Sequence, residues 1–164
     1  MALSTLEDAL IDELRDLLSA EKQVSQALPK LAKAAQHPDL KAAFEKHLVE
    51  TQGQIDRLKQ AFELLGKTAR AKTCEAAKGL INEGEEVIEE DADPDVKDAF
   101  LIAAGQKFEH YEIASYGTAV AWAKLTGHED VASLLYQTLE EEKAADESLT
   151  ALAESVINAE ALAQ

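Results

Sequence analysis

The residues best placed to do chemistry in this chain are carboxylates that stand where apolar side chains are expected. At about 100° per residue, segment 130–158 carries an apolar stripe of Val131, Leu135, Leu139, Leu149, Ala153 and Val156. Glu142 falls at the centre of that stripe and Asp146 about 40° from it. In segment 4–35 the stripe is Leu6, Leu10, Leu14, Leu17, Val24, Leu28 and Leu31, with Glu21 near its centre and Glu13 toward one side. Segment 94–126 has a wide apolar arc, Leu101, Ile102, Phe108, Ile113, Ala119, Val120 and Ala123, that encloses Glu109, Glu112 and Tyr116. Segment 38–65 presents Leu40, Phe44, Leu48, Ile55, Leu58, Phe62 and Leu65. Thr51 is at the centre of that stripe, His47 and Gln54 on one flank, and Glu50 further out on the same flank.

A buried, ionised carboxylate costs several kcal/mol unless its charge is compensated. Lys or Arg on a facing stripe would be the usual partner, but Arg15, Arg57, Lys107 and Lys143 all map outside the stripe centres. Three outcomes follow. The helices rotate and the acids reach solvent, the acids stay protonated and share protons, or a multivalent cation sits among them. Inward carboxylates from four helices, with His or Gln at i+3 or i+4, are how carboxylate-bridged di-iron and di-manganese centres are built. Hard oxygen donors suit iron and manganese, and are also compatible with magnesium or calcium.

On this reading the metal ligands are Glu21, Glu50, Gln54, Glu112, Glu142 and Asp146, with His47, Glu109 and Tyr116 behind them. The usual Glu-x-x-His is missing from the second and fourth long segments. In its place stand Glu50 with Gln54, Glu142 with Asp146, and the reversed order His47-x-x-Glu50. An i+4 pair can face one way. Glu21 precedes Glu50 by 29 residues and Glu112 precedes Glu142 by 30, so two hairpins place their acids alike. Gln in place of His weakens iron binding and alters redox chemistry. Tyr116, one turn from Glu112, could donate a hydrogen bond or an electron, or simply pack.

The elements that must position these groups are helices. Ala, Leu, Glu and Lys dominate, with only 7 Gly and 3 Pro in 164 residues, and alternating strand patterns are absent. Ser4–Glu7 reads as a capping box opening a helix to about Ala35, with Pro29 set to kink or break its last turns. Pro38 starts a second helix that ends before Gly66. Asp93-Pro94 starts a third, ending before Gly127, and Asp130 caps a fourth, to about Asn158. The tail Ala159–Gln164 is expected to fray. Residues 66–93 form a connector with a short helix from about Thr73 to Glu90, its acidic end (Glu85 to Asp91) read as solvated. That connector can run the length of helices of about 25–30 residues, roughly 40 Å. The second and third long helices then lie parallel. The expected fold is a single all-α domain over 1–164, a four-helix bundle with one long crossover of the ferritin-like kind.

Four segments also carry a resemblance. They are Ser19-Ala20-Glu21 with Ala27-Leu28-Pro29-Lys30, His47-Leu48-Val49-Glu50-Thr51, Glu109-His110-Tyr111-Glu112-Ile113-Ala114-Ser115-Tyr116-Gly117, and Glu140-Glu141-Glu142-Lys143. Together they resemble the bacterial YciE/YciF stress-protein family over roughly residues 4–156. The resemblance implies a ferritin-like bundle, a homodimer, a role in stress and a di-metal centre on Glu21, Glu50, Glu112 and Glu142, with Gln54 and Asp146 as second ligands. It implies no settled activity.

Charge and composition remove other classes. With 32 acidic against 16 basic residues and a net charge of −16, the chain is not a phosphate-backbone binder. It has no apolar run long enough for a membrane span and no secretory signal. Its one cysteine, Cys74, lacks an activating neighbour and reads as an inert thiol, consistent with a cytoplasmic location. His37 and His128 read as turn residues, and His110 points away from the stripe. Two functions are compatible with the sequence. One is a stress-related bundle with an iron or manganese centre serving redox chemistry or metal handling. The other is a metal-free structural or interaction protein, a dimer whose partner surface is the wide arc of the third long helix.

Overall fold

The computed structural model describes residues 3–163, and within them every regular element is helical. Helix α1 (Leu6–Ala34) is capped by Thr5, whose Oγ1 accepts the Asp8 N–H at 3.0 Å while the Asp8 carboxylate accepts the Thr5 N–H at 3.0 Å. The capping box therefore sits one residue later than Ser4–Glu7, with Asp8 as its acid. Pro29 leaves the helix unbroken to Ala34, its ring on the exposed face. Helix α2 (Pro38–Leu64) starts at Pro38 behind an N-cap His37, and the His37 Nδ1 accepts the Asp39 N–H at 3.2 Å. It closes through Gly66 at φ 64, where the Lys67 N–H reaches the Phe62 carbonyl at 2.9 Å.

The connector carries α3 (Glu75–Glu89), with Cys74 as N-cap. Helix α4 (Pro94–Leu125) begins at Pro94 behind Asp93. Helix α5 (Glu129–Leu152) begins one residue before Asp130, so Asp130 lies in the first turn and His128 occupies the cap position without a side-chain cap bond. The Asp130 carboxylate in that first turn still complements the positive end of the helix dipole. A π-helical turn, Ala153–Ile157, follows, and α6 (Asn158–Leu162) continues the rod. The tail expected to fray stays helical to Leu162; Met1, Ala2 and Gln164 lie outside the described residues. The wider π turn also changes which side chain faces inward. Ile157 is buried, and Val156, placed in the stripe by an unbroken 3.6-residue period, is only half-buried. Among the described residues no helix is long and apolar enough to cross a membrane.

Helix α1 packs on α2 and α4, and α5 packs on α2 and α4, so α1/α5 and α2/α4 are the diagonals of a square. Gln36 beside Asp98, and Glu21 beside Tyr116, set α1 and α4 antiparallel. Gln54 beside Glu141, and Arg57 beside Thr138, set α2 and α5 antiparallel. The crossover is thereby required to return the chain to the start of α4, and α2 and α4 run parallel, as expected. Helix α3 runs alongside α1 on the way back. Its start is tied by the Cys74 N–H to Ser19 Oγ (3.1 Å), its end by Lys30 to Glu85 and by Lys97 Nζ to the Ile88 carbonyl (3.1 Å).

Because α1, α3 and α5 all cover α4, its wide apolar arc is consumed inside the chain. Leu101, Ile102, Phe108, Ala119, Val120 and Ala123 are buried within the bundle, and Ile113 is half-buried. The apolar core forms two clusters. One gathers Leu10, Leu14, Leu17, Leu58, Phe62, Ala119 and Leu135, the other Val24, Leu28, Leu40, Phe44, Leu101, Phe108 and Leu149.

One further buried carboxylate, on the same face of α4 as Leu101 and Ile102, ties the first hairpin to α4. Asp98 accepts the backbone N–H groups of Gln36 (2.9 Å) and His37 (2.7 Å), both in the α1–α2 turn. Asp98→Ala is expected to lower the unfolding free energy by about 3 kcal/mol, the lower end of the scale for two lost hydrogen bonds to a charged acceptor. Asp98→Asn, which keeps one oxygen, loses less. Urea unfolding measures both, and an Asp98→Ala loss under about 0.5 kcal/mol would show that the carboxylate does not hold the turn.

Candidate metal centre

Between the two apolar clusters lies a polar layer in which Glu21, Thr51, Gln54, Glu112 and Glu142 are fully buried and His47 and Glu109 nearly so. Each helix supplies its part through the periodicity that placed the residue on its inner face. Helix α1 gives Glu21, α2 gives His47, α4 gives Glu109 and Glu112 one turn apart, and α5 gives Glu142. Ligand atoms of His47, Glu109, Glu112 and Glu142 all lie within 4.8 Å of one another. This group could hold a metal ion.

The layer is short of compensation. His47 Nε2 stands 3.3 Å from Glu109 Oε1 and 3.5 Å from Glu142 Oε2. Both oxygens of Glu112, both of Glu142, and one each of Glu21 and Glu109 are buried without a hydrogen-bond partner. Among the described residues no Lys or Arg pairs with these acids. Arg57 comes nearest, but it is paired with Glu141 and donates to Thr138 Oγ1 at 2.6 Å. Lys107 and Lys143 pair outside, with Glu83 and Glu140.

The charge cost appears as displaced acidities. Burial first, then the charge of Glu142, pushes Glu21 up to about 8, against a lowering hydrogen bond from Tyr116. Burial raises Glu109 to about 7, assisted by the charges of Glu21 and Asp146. Glu112 and Glu142 are raised well above the carboxylate range, burial again leading. For His47 burial pulls downward, yet the hydrogen bond to Glu50 and the charges of Glu142 and Glu21 outweigh it and the value rises.

Of the residues singled out from sequence, Glu112 and Glu142 belong to the group, joined by His47 and Glu109. Glu21 adjoins them. One of its oxygens accepts the Tyr116 hydroxyl at 2.5 Å, and the other has no hydrogen-bond partner. Glu50 stands outside the group, half-buried, with one oxygen 3.4 Å from His47 Nδ1 and the other 3.2 Å from Lys46 Nζ. It orients the imidazole from behind, as carboxylates commonly do for ligating histidines. The Gln54 amide donates to Glu141 Oε2 at 3.2 Å, which leaves its buried oxygen unpartnered. Asp146 lies beside the group, and its charge raises Glu109, but its oxygens accept from Gln106 Nε2 (3.1 Å) and face His110 Nε2 (3.1 Å). The Glu141–Arg57 pair and the Asp98 clamp went unread in the sequence. The signal that would have promoted Glu109 was its i,i+3 spacing to Glu112 on one helix face.

Two small cavities approach the layer from opposite sides of Phe44. One, about 30 Å³, lies between α1, α3 and α4, with Leu28, Leu31, Leu80, Ile81 and Phe108 in its wall and Glu109 at its end. The other, about 20 Å³, is lined by Lys46, His47, Glu50, Glu109 and Ser148. Cys74 is buried, its thiol raised by burial and then by Asp16. It accepts the Ala77 N–H at 3.3 Å and contacts the Tyr111 hydroxyl at 3.0 Å. Tyr111 donates in turn to Asp16 Oδ2 at 2.7 Å.

A family model described as "Domain of unknown function (DUF892)" matches residues 5–162. Protein YciF of Escherichia coli K12 is 50% identical over 163 residues, 98% of each chain. The crystal structure of the E. coli stress protein YciF superposes with a TM-score of 0.91 at 49% identity, covering 94% of this chain and 98% of that one. YcfI from Rhodopseudomonas palustris gives 0.88 at 46% identity, covering 90% and 94%. A protein from Xanthomonas campestris pv. campestris gives 0.77 at 26%, covering 94% and 95%.

The raised acids fix the sign of a pH dependence in metal-free protein. Above the ordinary carboxyl value of 4.5, an unfolded chain has lost protons that folded Glu21 (about 8) and Glu109 (about 7) retain. The folded state then binds more protons, so stability falls as pH rises through this window. His47, with its raised value, acts in the same direction: its contribution is present below the unfolded imidazole pKa and is lost as pH rises through the folded one. The thermal midpoint of metal-free protein is therefore expected to fall between about pH 5 and about pH 8, and Glu21→Gln to flatten that fall. A midpoint that is level or rising in this interval would contradict the protonated layer.

Proposed function

The chain belongs to the DUF892 family as a YciF-type member, and from that premise we propose that it is a stress protein that binds iron or manganese inside the bundle. The observation that carries this reading is the set of buried, unpartnered oxygens of Glu21, Glu109, Glu112 and Glu142 around one imidazole. Left ionised, such oxygens cost several kcal/mol, and a divalent cation supplies the missing countercharge. His47, Glu109, Glu112 and Glu142 would hold the first ion. Glu21, with Glu112 and Glu142 shared, would serve a second. Imidazole nitrogen with carboxylate oxygens suits iron and manganese. When bound, these metals supply one-electron chemistry of the kind that reduces peroxide or dioxygen. The chain's own residues do the rest. Tyr116 holds one Glu21 oxygen, Glu50 fixes the His47 ring through Nδ1, and the apolar clusters on both sides keep bulk water out.

A second reading is favoured by the raised pKa of Glu21, about 8, which lets the layer persist as shared protons at neutral pH. The protein would then be a metal-free structural homodimer acting in stress.

Metal analysis of protein purified without chelator separates the two. The metal reading expects about two iron or manganese ions per chain and a stabilisation of about 2.7 kcal/mol when free Mn²⁺ stands a hundredfold above its Kd. No bound metal and no thermal shift with Fe²⁺ or Mn²⁺ would sink it. Glu142→Leu gives an independent check. It should stabilise metal-free protein by about 1 kcal/mol or more, as apolar replacement of buried charge often does, and should abolish the metal-dependent gain.

A further inference from the structure

The two cavities that reach Glu109 differ in a way that assigns one of them a role. The cavity between α1, α3 and α4 is walled mostly by aliphatic and aromatic side chains; its one carboxylate besides Glu109 is Glu85, which is paired with Lys30 and has no histidine beside it on that wall. The cavity on the α2–α5 side carries Lys46, Glu50 and Ser148 on its wall and ends on His47 and on Glu109, a buried acid with one unpartnered oxygen. Its volume of about 20 Å³ admits one water-sized body. A fully hydrated divalent ion is larger, so an ion using this opening must trade water for protein oxygen on the way in. Glu50 is the group placed to make that trade. It is half-buried at the mouth, with one oxygen against exposed Lys46 Nζ and the other against His47 Nδ1 on the inner side.

We infer that this opening is the uptake route for divalent cations and that Glu50 is its relay carboxylate, released from Lys46 to take the ion at the mouth and pass it to Glu109 and His47. This rests on the metal-binding reading above, and it gives Glu50 a part that neither a buried ligand nor a surface acid would play. A relay on the path lowers the barrier to entry, so its loss slows uptake, whereas loss of a group that only orients His47 speeds release and leaves uptake alone. Lys46 competes with the ion for Glu50, so its removal speeds uptake.

The test is stopped-flow uptake of Mn²⁺, with release measured by chelator competition, on intact wild type, Glu50→Gln and Lys46→Met. Uptake in Glu50→Gln is expected to slow by about tenfold, the scale on which a focused charge alters an association rate. Lys46→Met is expected to take up Mn²⁺ faster than wild type. An unchanged uptake rate in Glu50→Gln, with any loss of affinity appearing as faster release alone, would overturn the inference. A wild-type protein that takes up no Mn²⁺ or Fe²⁺ would instead remove the metal reading itself.

Discussion

Four carboxyl groups and one imidazole occupy the middle of the core, and the structure is organised around neutralising them. Two apolar clusters stand on either side of Glu21, Glu109, Glu112 and Glu142. Their burial stabilises the bundle, but it also denies these acids the water that would solvate their charge. Protons or a cation must make up the difference. The surrounding polar residues serve that same layer. Tyr116 donates to Glu21, Glu50 sits behind His47, and Arg57 with Glu141 closes the side where Gln54 turns its amide.

The crossover makes this layer possible. A simple up-down-up-down chain would make every consecutive pair of helices antiparallel. Here α2 and α4 lie diagonally and parallel, which lets His47 from one and the Glu109–Glu112 pair from the other meet across the bundle axis. Asp98 then fastens the start of α4 to the turn between α1 and α2, fixing the height at which Glu109 and Glu112 face Glu21. That registry comes from one polar clamp outside the layer as much as from packing inside it.

The helices, the crossover and the inward positions of Glu21, Glu112 and Glu142 were legible because period and caps are local signals. What escaped was whatever depends on a neighbour or on a break in the period. Val156 looked inward at 3.6 residues per turn, but the π turn beginning at Ala153 gives that place to Ile157. The arc of α4 looked too wide for a bundle helix because nothing in it declares that α3 packs there as well. Asp98, near the start of α4, gives no hint of a turn that lies about 60 residues earlier. Glu50 and Asp146 have the spacing of ligands, yet their oxygens are engaged by Lys46 and by Gln106 and His110, partners that only the fold brings near.

Helix α3 has a consequence of another kind. It is the short, half-exposed member of the fold, with only Ala77 and Gly84 fully buried, and it roofs the apolar cavity that ends on Glu109. A segment so lightly anchored opens by local unfolding at a lower free energy than the bundle as a whole. On the α1–α3–α4 side, the dryness of the acid layer therefore depends on the stability of one crossover helix. Heat or mild denaturant would wet the centre while the four long helices are still folded.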